Sequence, residues 1–344
     1  MTWVSGFRMG NWLPSLMNWI VIERCDHACD RSHFSFLSGK WALSLNSPYS
    51  RGVARVSERT FRIVCGAALG SLCVIVFTGA LVRLTGSGLG CSDWPRCNEE
   101  RFVDVSTGHT FIEQANRLFT GVVSASVIAA VLLAHIRKPA RRDLVFLAWS
   151  LVIGVLAQIV IGGIVVLTGL NPYANMAHFL VSLVLIACAL LLYRRAAVHP
   201  SDKWFRDIPA TVTTPHLALV VFACIAIVTG TVVTATGPHA GGEDAVRFGF
   251  ELVSVVRVHS VSVISTVALL VFLLVRSRHI DNADYRDSLT SVAFVAISQA
   301  GIGYLQYFTG VPVVLVAAHI VGAVAFFISI LNTVYVPLPK NIGA

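Results

Sequence analysis

The sequence predicts an all-α integral membrane protein, with eight transmembrane helices arranged as two pseudo-symmetric four-helix bundles. Composition is the first ground: 56% of the 344 residues are hydrophobic and 13% are charged, too little polar surface to cover a soluble fold of this length. The second is eight apolar stretches of roughly 20 residues, the length that crosses a hydrocarbon core. The third is an internal repeat, which makes the last four stretches read as a second copy of the first four.

Taken in order, residues 1–60 form an N-terminal extension on the cytoplasmic side. Trp12 to Ile22 is apolar, but its length and Pro14 argue against a span, and no cleavable signal pattern follows. The extension reads as disordered, or as preceding a true start near Val53 or Val56. Within it Cys25, His27, Cys29 and His33 form a weak zinc pattern. The spans follow at 61–83, 114–136, 144–167, 175–193, 214–236, 254–275, 288–309 and 313–336. Residues 61–194 make the N-terminal half, 195–212 a cytoplasmic linker, 213–337 the C-terminal half and 338–344 a cytoplasmic tail.

Lys and Arg collect on one side of this pattern. Arg51, Arg55, Arg59 and Arg62 precede span one, and Arg137, Lys138, Arg141 and Arg142 follow span two. Arg194, Arg195, Lys203 and Arg206 follow span four, and Arg276, Arg278 and Arg286 follow span six. Basic loops stay cytoplasmic, so the expectation is a multi-pass protein of a bacterial plasma membrane with both termini inside and segments 84–112 and 237–253 outside. The net charge of +8 reports that topology and gives no reason to expect a nucleic-acid partner.

The repeat supplies equivalent positions from one chain. Span one ends Thr78-Gly79-Ala80-Leu81-Val82-Arg83-Leu84-Thr85-Gly86 and span five ends Thr229-Gly230-Thr231-Val232-Val233-Thr234-Ala235-Thr236-Gly237. Gln158, Ile161, Gly162, Thr168 and Gly169 recur 141 residues later as Gln299, Ile302, Gly303, Thr309 and Gly310. Pro172 and Ala177-His178 answer to Pro312 and Ala318-His319. Four spans per half is an even number, so both halves enter the membrane in one orientation, related about an axis along its normal. The glycines would let helices approach closely, and the Thr-Gly pairs would cap spans at the outer face.

Of the eleven histidines, His27, His33, His109, His135, His199, His216, His239 and His279 lie in loops or at span ends and read as solvated. His178, His259 and His319 lie inside spans four, six and eight, where a polar ring points to function. At 1.5 Å per residue all three sit about 10 Å below the outer surface. Two imidazoles at one depth on parallel helices can hold a heme iron from opposite faces, and His259 with His319 meets that requirement. A structural hydrogen bond between helices is the competing reading. The repeat places Asn116 where His178 would find its partner. Asparagine is a poor ligand for heme iron, so with His178 and at most Asn116 as ligands this half would keep an open or weakly held coordination position, suited to oxygen chemistry, while a closed site favours electron transfer.

Glu113, one turn before Asn116, is placed to pass protons or stabilise charge; an ion pair with Arg117 at i+4 is its alternative. Arg83, Arg117 and Arg257 lie near outer span ends and could pair with heme propionates or snorkel to the interface. Cys91 and Cys97 flank Ser92-Asp93-Trp94-Pro95-Arg96 in the first outer loop, an oxidising location that favours a disulfide over two free thiols. Cys65, Cys73, Cys188 and Cys224 fall within spans as small apolar fillers.

From about Arg62 to Pro337 the chain resembles the heme A synthase family, which includes the mitochondrial Cox15 proteins, and its actinobacterial members in particular. The resemblance is carried by Gly79 through Cys91 with Asp93-Trp94-Pro95 and Cys97-Asn98, by Glu113 with Asn116-Arg117, and by Ala177-His178-Phe179. Thr236-Gly237-Pro238-His239, His259, and Gln306-Tyr307-Phe308-Thr309-Gly310 through His319 complete it. It implies an enzyme that oxidises the C8 methyl group of heme O to a formyl group through successive hydroxylations, giving heme A for cytochrome oxidase. It further implies a heme b cofactor between His259 and His319, and a substrate site in the first half with ligation by His178 and catalysis by Glu113. A disulfide between Cys91 and Cys97 is similar to that of some members. The implied partners are heme O as substrate, a heme O synthase, cytochrome oxidase assembly and an electron donor the sequence does not identify, with room for a homo-oligomer. The chain departs from the commoner pattern at Asn116, where many members have histidine, and in having no cysteine pair in 237–253. A membrane b-type cytochrome that only carries electrons is the rival reading, and a transporter, suggested by the repeat alone, is a third.

Overall fold

The structure, a computed structural model, describes residues 56–242 and 245–335. The zinc pattern, the rest of the extension before Val56 and the C-terminal tail lie outside the described residues. Eight helices follow in order: α1 Glu58–Leu84, α2 Gly108–Ile136, α3 Arg142–Leu167, α4 Pro172–Arg195, α5 Ala210–Thr236, α6 Leu252–Ser277, α7 Ala283–Phe308 and α8 Val313–Val334. Each is long and apolar enough to cross a bilayer, and the chain is a multi-pass membrane protein. Among the described residues no strand forms; an isolated bridge pairs Phe205 with Tyr335.

Seven of the eight helices begin ahead of their apolar stretches, α8 starting with its own at Val313, because hydrogen-bond completion, not hydropathy, sets a helix end. Helix α2 starts at Gly108 under a capping box, in which Thr107 accepts from the Thr110 amide and the Thr110 hydroxyl accepts from the Thr107 amide. Asn282 caps α7 through the Tyr285 amide, and Asn171 caps α4 ahead of Pro172. The expected Thr-Gly ends hold for α1, α3 and α7, where Gly86, Gly169 and Gly310 take φ of 69°, 64° and 79°. Helix α5 ends differently, on Gly237 in an extended conformation.

Helices α1 and α3 each pack on both α2 and α4, which leaves α2 and α4 on a diagonal; in the second half α6 and α8 hold the same diagonal between α5 and α7. The halves meet where α1 and α4 pack on α8 and α4 packs on α5. Phe61, Cys65, Leu72, Leu144 and Ile186 centre the first core, and Leu219, Leu273, Leu289 and Ile330 the second. Outward residues are apolar too, among them Phe146, Ile153, Phe294 and Ile297, as lipid requires. Burial therefore gains little from water exclusion here, and close packing on small residues matters more. Gly154 admits the Leu185 side chain, and Gly163 admits the Trp94 ring from the α1–α2 loop.

Several arginines expected as free loop charges are instead sequestered. Arg137, 2% exposed, pairs with Glu58 at 2.6 Å and lies over the Phe61 ring. Arg141 and Arg195 share Asp143 at 2.7 and 3.1 Å, and Arg195 lies over Trp204. Asp143→Ala would leave two buried guanidinium groups without their carboxylate, and is expected to cost about 3 kcal/mol or more. Denaturation of the detergent-solubilised protein measures this; an unchanged midpoint would refute it.

Candidate functional site

The three in-span histidines and Asn116 gather toward the face that carries the 85–107 loop. His178 and His319 are each the seventh residue of α4 and α8, His259 the eighth of α6 and Asn116 the ninth of α2, so all four lie about 10 Å inside their helix starts. One turn introduces both α4 and α8. Leu170 and Val311 adopt φ of 63° and 60°, and their amides donate to Val165 and Gln306 carbonyls at 2.8 and 2.7 Å. A left-handed conformation is costly for a β-branched valine, and its recurrence 141 residues after Leu170 gives the two histidine helices the same launch.

In the second half, His259 and His319 stand on the diagonal pair α6 and α8. His259 Nδ1 lies 3.2 Å from the Thr229 hydroxyl on α5. A Cβ on Gly230 would stand 3.2 Å from His259 Cε1, and one on Gly303 3.2 Å from His319 Cε1. Gln299 Nε2 donates to the His319 carbonyl at 2.9 Å, and His319 Nδ1 is buried without a hydrogen-bond partner.

The first half repeats the arrangement with one substitution. A Cβ on Gly162 would lie 3.4 Å from His178 Cε1, Gln158 Nε2 donates to the His178 carbonyl at 3.0 Å, and His178 Nδ1 is likewise buried and unpartnered. Asn116 takes the place of His259: the Thr78 hydroxyl donates to its Oδ1 at 2.8 Å, and Gly79 faces its carboxamide. Threonine 78 and 229, and the glutamine pair, were visible as repeat positions, yet nothing local in the sequence tells which side chain each one grips.

Cys91 and Cys97 are joined by a disulfide, as expected. Glu113, 5% exposed, uses both oxygens. Oε1 accepts from Arg117 Nε at 3.0 Å and from its Nη2, while Oε2 accepts from the Cys91 amide at 2.7 Å. Arg117 in turn donates to the Asp93 and Arg96 carbonyls and lies over the Trp94 ring. The carboxylate therefore clasps the disulfide loop to α2. Asp104 steadies the same loop by accepting from the Ser106 amide and from Asn98 Nδ2, both at 2.9 Å; the Ser106 hydrogen bonds hold its carboxyl below the usual range.

Of the propionate candidates, Arg83 donates to the His239 and Thr234 carbonyls of the second half, both at 2.8 Å, and Arg117 is engaged as described. Arg257 is exposed and taken up by none of the described residues. The reading of His216 as solvated is corrected: it is 4% exposed, with Nδ1 3.0 Å from the Tyr285 hydroxyl and Nε2 3.5 Å from Thr333. It lies seven residues into α5, deep enough to meet α7 and α8, which a count of loop and span residues does not show. His109 and His239 also have partners, the Ser87 hydroxyl and the Val311 carbonyl.

The donor chemistry suits a planar iron macrocycle rather than a bare ion. No cluster of three or more His, Cys, Asp or Glu side chains able to hold a metal occurs among the described residues. His259 and His319 stand on the diagonal helices α6 and α8, and His178 and Asn116 on the diagonal α4 and α2, with buried Nδ1 atoms lacking protein partners in His178 and His319 and with a glycine against each of the three rings, where a side chain would intrude.

Comparison with known proteins places the chain in a family. The profile of the COX15-CtaA family, described as cytochrome oxidase assembly protein, matches residues 62–106 and 102–331. The chain is similar to a heme A synthase of Listeria welshimeri, 32% identical over 268 residues, covering 72% of this chain and 85% of that protein. It is also similar to the heme A synthases of Geobacillus kaustophilus, 35% identical over 136 residues, and Geobacillus thermodenitrificans, 32% identical over 146 residues. Those two matches cover 38% and 41% of this chain and span 42% and 45% of the relatives' own lengths.

Proposed function

The chain belongs to the COX15-CtaA family of cytochrome oxidase assembly proteins, and from that premise we propose that it is a heme A synthase. The substrate in this reading is heme O, whose C8 methyl group is oxidised to the formyl group of heme A. The observation that carries the proposal is the inequality of the halves: a histidine on each diagonal helix of the second, and in the first His178 with Asn116, held by Thr78 as Thr229 holds His259. A protein that only carried electrons would have no use for the unequal half.

Each residue then has a task. His259 and His319 hold a resident heme b, which supplies electron transfer when bound. Thr229 anchors His259 at Nδ1, which leaves Nε2 as the ligating atom. Gln299 and Gln158 fix the histidine-bearing turns of α8 and α4 through the His319 and His178 carbonyls. His178 binds the substrate heme. Glu113, at the same level on α2 and desolvated by the disulfide loop, handles protons as substrate carbon is oxidised. Arg257, with an unengaged guanidinium, is available to a propionate, whereas Arg83 and Arg117 would reach one only with donors left over from their carbonyl and carboxylate partners.

In this reading the chain lies in a bacterial plasma membrane with both termini cytoplasmic, so the disulfide loop faces outward, and it works between a heme O synthase and cytochrome oxidase assembly. Co-expression with a heme O synthase, followed by pigment extraction, is expected to yield heme A. Accumulation of heme O alone would refute the assignment.

A further inference from the structure

Asn116 stands where His259 stands in the other half, and its contacts show what the exchange does. The Thr78 hydroxyl lies 2.8 Å from Asn116 Oδ1, as the Thr229 hydroxyl lies 3.2 Å from His259 Nδ1. The next residue is in each case a glycine facing the same side chain: a Cβ on Gly79 would be 4.0 Å from the carboxamide, and one on Gly230 3.2 Å from the imidazole. Asparagine and histidine carry their first heteroatom at the same branch point. Asn116 therefore keeps the threonine anchor and stops there, while an imidazole continues by a ring's width to Nε2, the atom that ligates. Opposite, His178 keeps the full ring and the same glutamine brace as His319.

Resting on the reading of the first half as the substrate site, we infer that this half holds its heme iron through His178 alone and presents the Asn116 carboxamide to an axial face that has no protein ligand. With Oδ1 committed to Thr78, the Nδ2–H group is the end left over, and no described residue accepts from it. The free face is thus polar and hydrogen-bond donating, suited to a small diatomic ligand on iron. The second half, with a ring on each side, admits none. A single truncated side chain sets which of the two sites is open.

The test uses the full chain in detergent, carrying its second-half heme, loaded with heme O, reduced and exposed to carbon monoxide. One heme, the added heme O, is expected to change its absorption with carbon monoxide, while the resident heme does not. Asn116→His is expected to abolish that response and turn the substrate heme low-spin, with the resident heme spectrum unchanged as evidence of folding. Asn116→Val is expected to keep carbon monoxide binding but shift the C–O stretching frequency, because the Nδ2–H donor is gone. A wild-type substrate heme that ignores carbon monoxide, an N116H variant that still binds it, or an N116V variant with an unmoved stretch would each overturn the inference. Heme A production alongside a carbon-monoxide-unreactive substrate heme would sink this inference alone; failure to bind heme O at all would sink the functional reading with it.

Discussion

Replacing His259 or His319 with alanine is expected to strip the resident heme from the protein. In the proposed reading each ring would be one of two ligands to the heme iron, carried on the diagonal helices α6 and α8, and neither Thr229 nor Gln299 could substitute from its position, the first lying on His259 Nδ1 and the second on the His319 carbonyl. Loss of an outer-shell partner typically costs 10–100-fold in metal affinity, so loss of a ligand is expected to exceed about 100-fold. Heme content per protein and the reduced-minus-oxidised spectrum measure it. The first half predicts the control, since His178→Ala should leave the resident heme in place and remove substrate binding. Full heme content in either alanine variant of the second half would refute the pairing.

The second large effect is expected at Glu113. A proton-handling carboxylate is worth roughly 10²- to 10⁴-fold in rate, so Glu113→Gln is expected to lose turnover by that order while keeping the resident heme. The geometry offers a competing cause, because Glu113 also binds Arg117 and the Cys91 amide. Glutamine separates the two. Its carbonyl can still accept from the Cys91 amide, so the disulfide loop should stay docked even though the charge is gone. Glu113→Ala removes both functions and leaves the partly buried Arg117 without its carboxylate, a cost of up to about 3 kcal/mol in stability. Turnover near wild type in the glutamine variant would reduce Glu113 to a loop clasp. A turnover loss that tracks thermal destabilisation across both variants would do the same.

The legibility of the fold follows from how local each feature is. The eight spans were readable because about 20 consecutive apolar residues are themselves the property that crosses a bilayer. The helix starts at Gly108 and Ala283 were not, since they depend on the Thr107 and Asn282 caps in polar flanks. His178, His259 and His319 stood out because a ring inside an apolar run is a local contradiction. His216 did not, because its partners Tyr285 and Thr333 lie 69 and 117 residues away. Arg137 and Arg195 looked like loop charges for the same reason: their carboxylates come from Glu58 and Asp143, on helices brought near by folding.

By itself the sequence determined the all-helical membrane class, the repeat, the cysteine pair that forms the disulfide, and the positions at which imidazole is present or replaced by Asn116. Each of these is fixed by residue identity or by spacing along one chain. The tertiary structure alone decided that Thr78 and Thr229 grip equivalent side chains, that glycines face all three rings and Asn116, that both Glu113 oxygens are committed to the disulfide loop and Arg117, and that Arg83 is held by carbonyls of the other half. Most of those contacts join separate helices or loops, and their distances depend on how whole helices pack, which no window of sequence contains.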